Sequence, residues 1–199
     1  MSRTRRGPLC HEVLGDARLY ALLLKYDEDL AAEARVAGCE CGGVLHVSDF
    51  PRKPRGGPAG LGAEHERRLS FCCDREGCRG RVTPRSVRFL GRRVYLGAVV
   101  VLVSAMVNGP TPRRVAKLVL LIGASRRTLE RWRAWWRTAF AESAFWQAAA
   151  GRFAAPVARR ALPWSLLDRF EGDERERLVA ALRFLAPITS NSARNAMAS

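Results

Sequence analysis

Cys39-Glu40-Cys41-Gly42-Gly43, followed about 30 residues later by Phe71-Cys72-Cys73-Asp74-Arg75-Glu76-Gly77-Cys78, decides how this chain is read. Five of its six cysteines lie in these two pieces. Two cysteine knuckles, each trailed by small or basic residues, have the pattern of a zinc ribbon. A tetrahedral Zn2+ takes four soft thiolates, and two tight turns deliver them. Glycines at 42 and 43 suit a turn whose backbone N–H groups approach sulfur. The expected ligands are Cys39, Cys41, Cys73 and Cys78. The second knuckle offers two candidates for one position. Strand alternation puts Leu69, Phe71 and Cys73 on one face, which favours Cys73 and keeps Cys72 as the alternate. His46, five residues after Cys41, is a further candidate to replace a thiolate. Such a zinc is structural, because four protein ligands leave no open position for water. The neighbours Cys10 and His11 have the composition of a nucleophile and its base. Adjacent residues seldom turn their side chains toward each other, so no chemistry is expected there.

The charge is as uneven as the cysteines. Residues 79–137 carry 14 Lys/Arg and a single acid, Glu130, which is +13 of the formal +15. Residues 1–78 balance 12 bases with 12 acids, and residues 138–199 add only +2. The bias is therefore local, not a trait of the whole composition, and it calls for a polyanionic partner, first of all nucleic acid. Nearly all the basic side chains are arginine, whose planar fork matches phosphate and guanine edges where lysine offers a point charge. At 48% hydrophobic and 27% charged, the 199 residues suit one or two small folded domains. The N-terminal residues lead into no apolar signal segment, and the most apolar run, 94–107, is 14 residues, too short for a bilayer. A cytoplasmic, nucleoid-associated protein with no membrane partner is expected, with reduced cysteines binding metal in place of disulfides.

Along the chain, Asp16 is a plausible cap for an amphipathic helix over 17–36 that ends at Gly38. Short β-like pieces, 44–47 and 69–72, flank a Pro/Gly/Arg stretch, 51–62. That stretch is expected to be a mobile basic loop, with Arg52, Lys53 and Arg55 as a secondary clamp on nucleic acid. A core helix is expected over 92–108, stopped by Asn108-Gly109-Pro110. Thr111-Pro112 opens another over 112–121. Gly123 turns the chain, and Ser125 caps a third over 126–141 with a buried stripe of Leu129, Trp132, Trp136 and Phe140. Two short helices joined by a glycine turn make a helix–turn–helix, whose second helix would enter the major groove by its first turn. The exposed residues there are Arg126, Arg127, Glu130 and Arg131. The arginines can read guanine or grip phosphate, and Glu130 can accept from cytosine N4. Arg113, Arg114 and Lys117 would be phosphate contacts. Trp135, off the stripe, is the tryptophan expected to meet a partner. Farther on, a short helix carries Phe145, Trp146 and Phe153, breaks fall at Pro156 and Pro163, and a last helix covers 174–185.

This order of ribbon, then CRGRVTPRSVRFLGRRVYLGAVVVLVSAM from Cys78, then TPRRVAKLVLLIGASRRTLERWRAWW from Thr111, resembles the N-terminal DNA-recognition half of zinc-ribbon transposases of bacterial insertion sequences. The resemblance covers about 39–140. It implies metal ligands at Cys39, Cys41, Cys73 and Cys78 and a recognition helix starting at Arg126 to Arg131. In that family an RNase-H-like domain with an acidic triad follows. Here 62 residues follow Arg137, and five of their six acids are bunched at 168–176. Carboxylates so placed do not converge on two metals, so no catalytic activity is expected.

The expected fold is mainly α with a small β zinc ribbon and a three-helix helix–turn–helix core. The expected units are an N-terminal helical segment (1–38), the ribbon with its loop (39–90), the helix–turn–helix (91–141), a C-terminal helical segment (142–186) and a flexible tail (187–199). The expected function is double-stranded DNA binding, transposase-like or accessory to transposition, with structural Zn2+. The rival readings are an RNA-binding ribbon module, a non-catalytic subunit of a transposase or nuclease complex, and an adaptor docking a protein partner through Phe145, Trp146, Trp164, Leu166 and Leu167.

Overall fold

In the computed structural model, which describes residues 9–90, 94–105, 113, 116, 120 and 122–190, the long first helix begins where its sequence invites it to. Asp16 accepts from the Arg18 backbone N–H at 2.9 Å, satisfying a donor that the first turn leaves free. A short helix α1 (Leu9–Gly15) precedes this cap, and α2 runs Ala17–Ala37 to a stop at Gly38. About 53% of the described residues are helical, with small antiparallel sheets beside the helices.

Helix α2 serves two cores. Its near half buries Leu19, Tyr20 and Leu23 in the main hydrophobic cluster, while Ala31 and Ala34 sit against Leu45, Phe71 and Cys73 in a second, smaller one. That smaller cluster is the ribbon. Strands β1 (Leu45–Val47), β4 (Phe71–Cys73) and β5 (Arg81–Val82) form an antiparallel sheet in the order β1-β4-β5. Leu45 faces Cys73 and Val47 faces Phe71 across the first pair. Phe71 and Cys73 are buried and Cys72 between them is half-buried, the alternation expected of a sheet with one covered face. The second strand sits a residue or two later than the sequence suggests, because it is the register with Leu45–Val47 that bounds it.

The stretch 51–62 departs from expectation. It is not a detached loop. Strand β2 (Phe50–Pro51) pairs with β3 (Arg67–Arg68), and a 3-10 turn covers Ala63–Glu66. Arg55 donates to the Val94 carbonyl at 2.7 Å and accepts from the Leu96 N–H at 3.1 Å. Gly56, at φ +89, lies so close to Val99 that an added Cβ would stand 2.9 Å from its Cγ2. Only glycine combines that backbone with that approach.

The same contacts correct the next helix. α3 is Gly97–Ser104, starting later than position 92, because Tyr95 and Leu96 are held extended by bridges to Arg55 and Phe89. Every residue of α3 is buried, so its uniform apolarity suits the centre of the body. Of the helix expected over 112–121, only Arg113, Ala116 and Leu120 are described. They are helical and exposed, and Ile122 just after is helical and buried. Arg114 and Lys117 lie outside the described residues.

The next helix keeps its expected stripe. α4 (Arg126–Trp135) runs into a π-helical turn, Trp136–Phe140, with Leu129, Trp132, Trp136 and Phe140 all buried. The looser winding lets the two i+4 steps from Trp132 to Phe140 stay on one face. Tyr95 meets Trp132 edge-on at 4.9 Å, and Phe140 lies 5.2 Å from Trp146 on α5 (Ala144–Ala150). A short α6 (Trp164–Leu167) and α7 (Glu174–Leu185) close the body. α7 opens with a full capping box between Asp173 and Glu176, so its bounds match the sequence reading at both ends. The chain past 187 does not fray at once. A 3-10 turn covers Ala186–Thr189, and Thr189 Oγ1 accepts from the Ser86 N–H at 2.8 Å.

One buried polar cluster joins ribbon and body. Asp27 on α2 accepts from Ser86 Oγ at 2.6 Å, the Val87 N–H at 2.7 Å and Arg88 Nε at 2.8 Å. Arg88 also donates to the carbonyls of Glu64, His65 and Arg67. Both side chains of the ion pair are fully buried.

Candidate metal centre and basic helix face

Cys39 and Cys41 hang from the turn between α2 and β1, where Gly42 donates to the Cys39 carbonyl at 2.8 Å. Cys73 ends β4, and Cys78 follows a turn in which its N–H reaches the Arg75 carbonyl at 3.1 Å. The β1–β4 pairing brings the two knuckles face to face. The four sulfurs of Cys39, Cys41, Cys73 and Cys78 lie within 4.8 Å of one another. Cys39 Sγ is 3.7 Å from Cys78 Sγ, and Cys41 Sγ is 3.4 Å from Cys73 Sγ. A tetrahedron with metal–sulfur bonds of about 2.3 Å has sulfur–sulfur edges of ~3.8 Å. The quartet is therefore sized for a metal ion. Gly43 adds a second sign of fit: a Cβ there would lie 2.5 Å from Cys73 Sγ. The cradle needs the missing side chain.

The protons are unevenly placed. The Gly43 backbone N–H bonds to the Cys41 sulfur and, helped by the neighbouring thiols, brings it down to about 6. The Arg75 N–H favours a thiolate at Cys73, but burial and the adjoining thiols outweigh it and push Cys73 up to about 12. Cys78 moves up as well: the Gly80 N–H lowers it, and hydrogen bonds with Cys41 and Cys39 prevail. The quartet thus carries one ready thiolate beside thiols that a cation would deprotonate on binding.

Cys72 stands apart, its sulfur 3.6 Å from the Arg79 carbonyl, so Cys73 and not Cys72 joins the quartet. His46 is no ligand either. It is exposed, with Nε2 3.5 Å from Asp74 Oδ2, because its strand position faces away from the buried side that holds Cys73. The side chains of Cys10 and His11 lie outside the described residues.

The arginines sort into spent and presented. Arg88 is consumed in the core, and Arg81 binds Ser48 O at 2.8 Å and Ser70 Oγ at 3.1 Å across the sheet. Composition alone cannot separate these from surface charge. Arg52 is half-buried, not the open clamp expected, while Lys53 and Arg55 are exposed. On α4 the buried stripe sets the rotation, leaving Arg126, Arg127, Arg131 and Arg137 outward. Ser125 caps this helix, accepting from the Thr128 N–H at 3.3 Å, and Tyr95 Oη holds the preceding turn by the Gly123 carbonyl at 2.9 Å. Glu130 is engaged with Arg126 Nε at 2.8 Å. Arg126, Glu130, Arg133, Ala134 and Arg137 line a shallow open depression. The sequence reading missed Arg133 and Arg137, although the i+7 and i+11 spacing from Arg126 marks them. Burial, and then the nearby charge of Arg137, lowers the pKa of Arg133. Trp135 is half-buried, edge-on to Trp136 at 4.8 Å.

In the last third, Trp146, Leu166 and Leu167 are core residues. Asp173 and Glu176 cap α7, and Asp168 pairs with Arg169 at 3.0 Å. No helix among the described residues is long and apolar enough to cross a membrane. No protein-family model, curated protein or solved structure matches the chain.

Proposed function

We propose that this protein binds double-stranded DNA through the outward face of α4, and that Zn2+ held by Cys39, Cys41, Cys73 and Cys78 stabilises the ribbon beside it. The observation that carries the reading is the rotation of α4. Its stripe of Leu129, Trp132, Trp136 and Phe140 is buried, and four arginines stand on the rest of the same short helix and its π turn. A helix this basic, anchored on one side and bare on the other, suits a groove lined by phosphates. Arg126, buttressed by Glu130, would read a base edge, and Arg127 and Arg131 would hold the backbone. The protein resembles the DNA-recognition half of insertion-sequence transposases and would act as a binding or accessory factor without catalysis of its own. Two of the clustered acids, Asp173 and Glu176, are occupied in capping α7, which favours a non-catalytic reading.

Fluorescence anisotropy with duplex DNA across a salt series tests this. Each phosphate neutralised contributes about 0.9 to the log–log slope, so R127Q/R131Q should lower the slope by about 2. A flat titration in the native protein overturns the reading. Preference for single-stranded RNA in competition would replace it with the RNA-binding alternative, and Mg2+-dependent nicking would overturn the non-catalytic part. Native mass spectrometry with single Cys→Ser changes identifies the ion and its ligands. Zinc retained by C73S and lost by C72S would overturn the assigned set.

A further inference from the structure

We propose a second anion site, formed by Arg52 and Arg68 against Phe89, that takes a phosphate oxyanion. It lies on the β2–β3 hairpin and is argued independently of α4. The starting point is Phe89, buried at 2% exposure, with three guanidinium groups around its ring. Arg88 lies 5.0 Å from the ring centroid, Arg52 5.7 Å and Arg68 5.9 Å. Arg88 is accounted for by Asp27 and three carbonyls. Arg68 is not. It is 4% exposed; its Nη2 donates to the Pro84 carbonyl, while Nη1 is buried with no partner among the described residues.

Charge tells the same story as hydrogen bonding. Asp27 is the carboxylate that acts on Arg68, and it is already engaged by Ser86, Val87 and Arg88. Burial first, with repulsion from Arg88 and Arg52 adding to it, brings Arg68 down to about 10 against the pull of Asp27. A buried guanidinium with an unmet N–H and too little opposite charge is costly to keep. A bound phosphate supplies both the acceptor and the charge, and the flat arginine fork matches its oxygens. Arg52 is only half-buried, so the cluster reaches solvent at that side chain. The next residue, Lys53, holds φ 42, a left-handed backbone that a non-glycine residue adopts at a cost. Such strain gathers where ligands are gripped.

The phosphate can be inorganic or part of a nucleic-acid backbone, and two measurements separate these sources. Thermal unfolding is followed while inorganic phosphate replaces chloride at constant ionic strength. The native protein and R127Q should both show a saturable rise in Tm. R52Q should need at least about tenfold more phosphate for half the effect. R68M should lose the effect, and if R68M does not fold, R52Q carries the test. In the second arm, R52Q lowers the salt slope of duplex binding by about one if the phosphate belongs to DNA. An unchanged slope, with the phosphate effect intact, assigns the site to free phosphate. Absence of any phosphate-specific rise, or equal loss in R127Q and R52Q, overturns the proposal. If duplex DNA does not bind at all while phosphate still stabilises, the α4 reading falls and this site stands.

Discussion

Replacing Asp27 with asparagine keeps the side-chain shape and removes one charge, which makes it a clean probe of how ribbon and helical body are joined. Asp27 is 1% exposed and Arg88 0%. The carboxylate accepts three hydrogen bonds of 2.6 to 2.8 Å, and its partner arginine reaches the carbonyls of Glu64, His65 and Arg67. In D27N the guanidinium stays buried without its counter-charge, and the asparagine NH2 faces groups that are themselves donors. Breaking one side of such a pair costs about 3–5 kcal/mol. That is a large share of a total stability of about 5–15 kcal/mol. At roughly 2–4 °C per kcal/mol for a chain of this size, Tm should fall by roughly 6–20 °C. Urea unfolding followed by far-UV circular dichroism measures the loss. D29N is the control, since the Lys25–Asp29 pair is 68% and 57% exposed and should matter by under about 0.5 kcal/mol. Replacing both partners by apolar residues, D27L/R88M, should recover much of the stability, because no charge is then stranded. A loss in D27N of less than about 1 kcal/mol would refute the reasoning and mean that water or another group compensates Arg88.

Gly43→Ala should weaken metal binding about 10–100-fold, as supporting residues around a metal site do, because the new methyl meets Cys73 Sγ at 2.5 Å; competition with a chromophoric chelator measures this, and equal affinity would show that the knuckle gives way. Ser125→Ala removes the cap of α4 and should cost about 1 kcal/mol, read as a lowered urea midpoint with an unchanged slope. His65 should make the fold acid-sensitive. Burial holds its pKa below the usual 6.5, with Glu64 opposing and Arg88 reinforcing the shift. A group depressed on folding gives its full stability above the unfolded value and loses it as pH falls through the folded one. The native protein should therefore lose Tm more steeply than H65Q below pH 6.5; parallel curves would discount the histidine.

Much of the architecture was legible because periodicity and punctuation agreed. The stripe from Leu129 to Phe140 and the Asp173 cap of α7 are local signals, and the structure keeps both. The cysteine quartet was legible for the same reason: knuckle spacing and strand alternation chose Cys73 over Cys72. The failures in reading the fold are long-range. Nothing within Pro51–Gly62 announces that Arg55 will bridge to Tyr95, or that Gly56 will press on Val99, so a docked segment read as a free one. The same bridge delayed the start of α3. Arg88 looked like any other arginine in a basic window, since its partner Asp27 is 61 residues away. Sequence patterns report which face is buried; they do not report which charges are consumed in the core.

The bond between Ser86 and Thr189 spans 103 residues. Protein synthesis at about 5–20 residues per second places roughly 5–20 s between the emergence of the two partners. The cysteine knuckles are only 32 to 39 residues apart, and they precede both. On the proposed metal binding, a nascent chain could take up an ion at the four cysteines and close the ribbon well before the helical body is able to lock. If the proposed ion is the one that closes the ribbon, a cell short of it would leave the ribosome carrying an open, arginine-rich intermediate through those seconds, and metal supply would then bear on yield during translation.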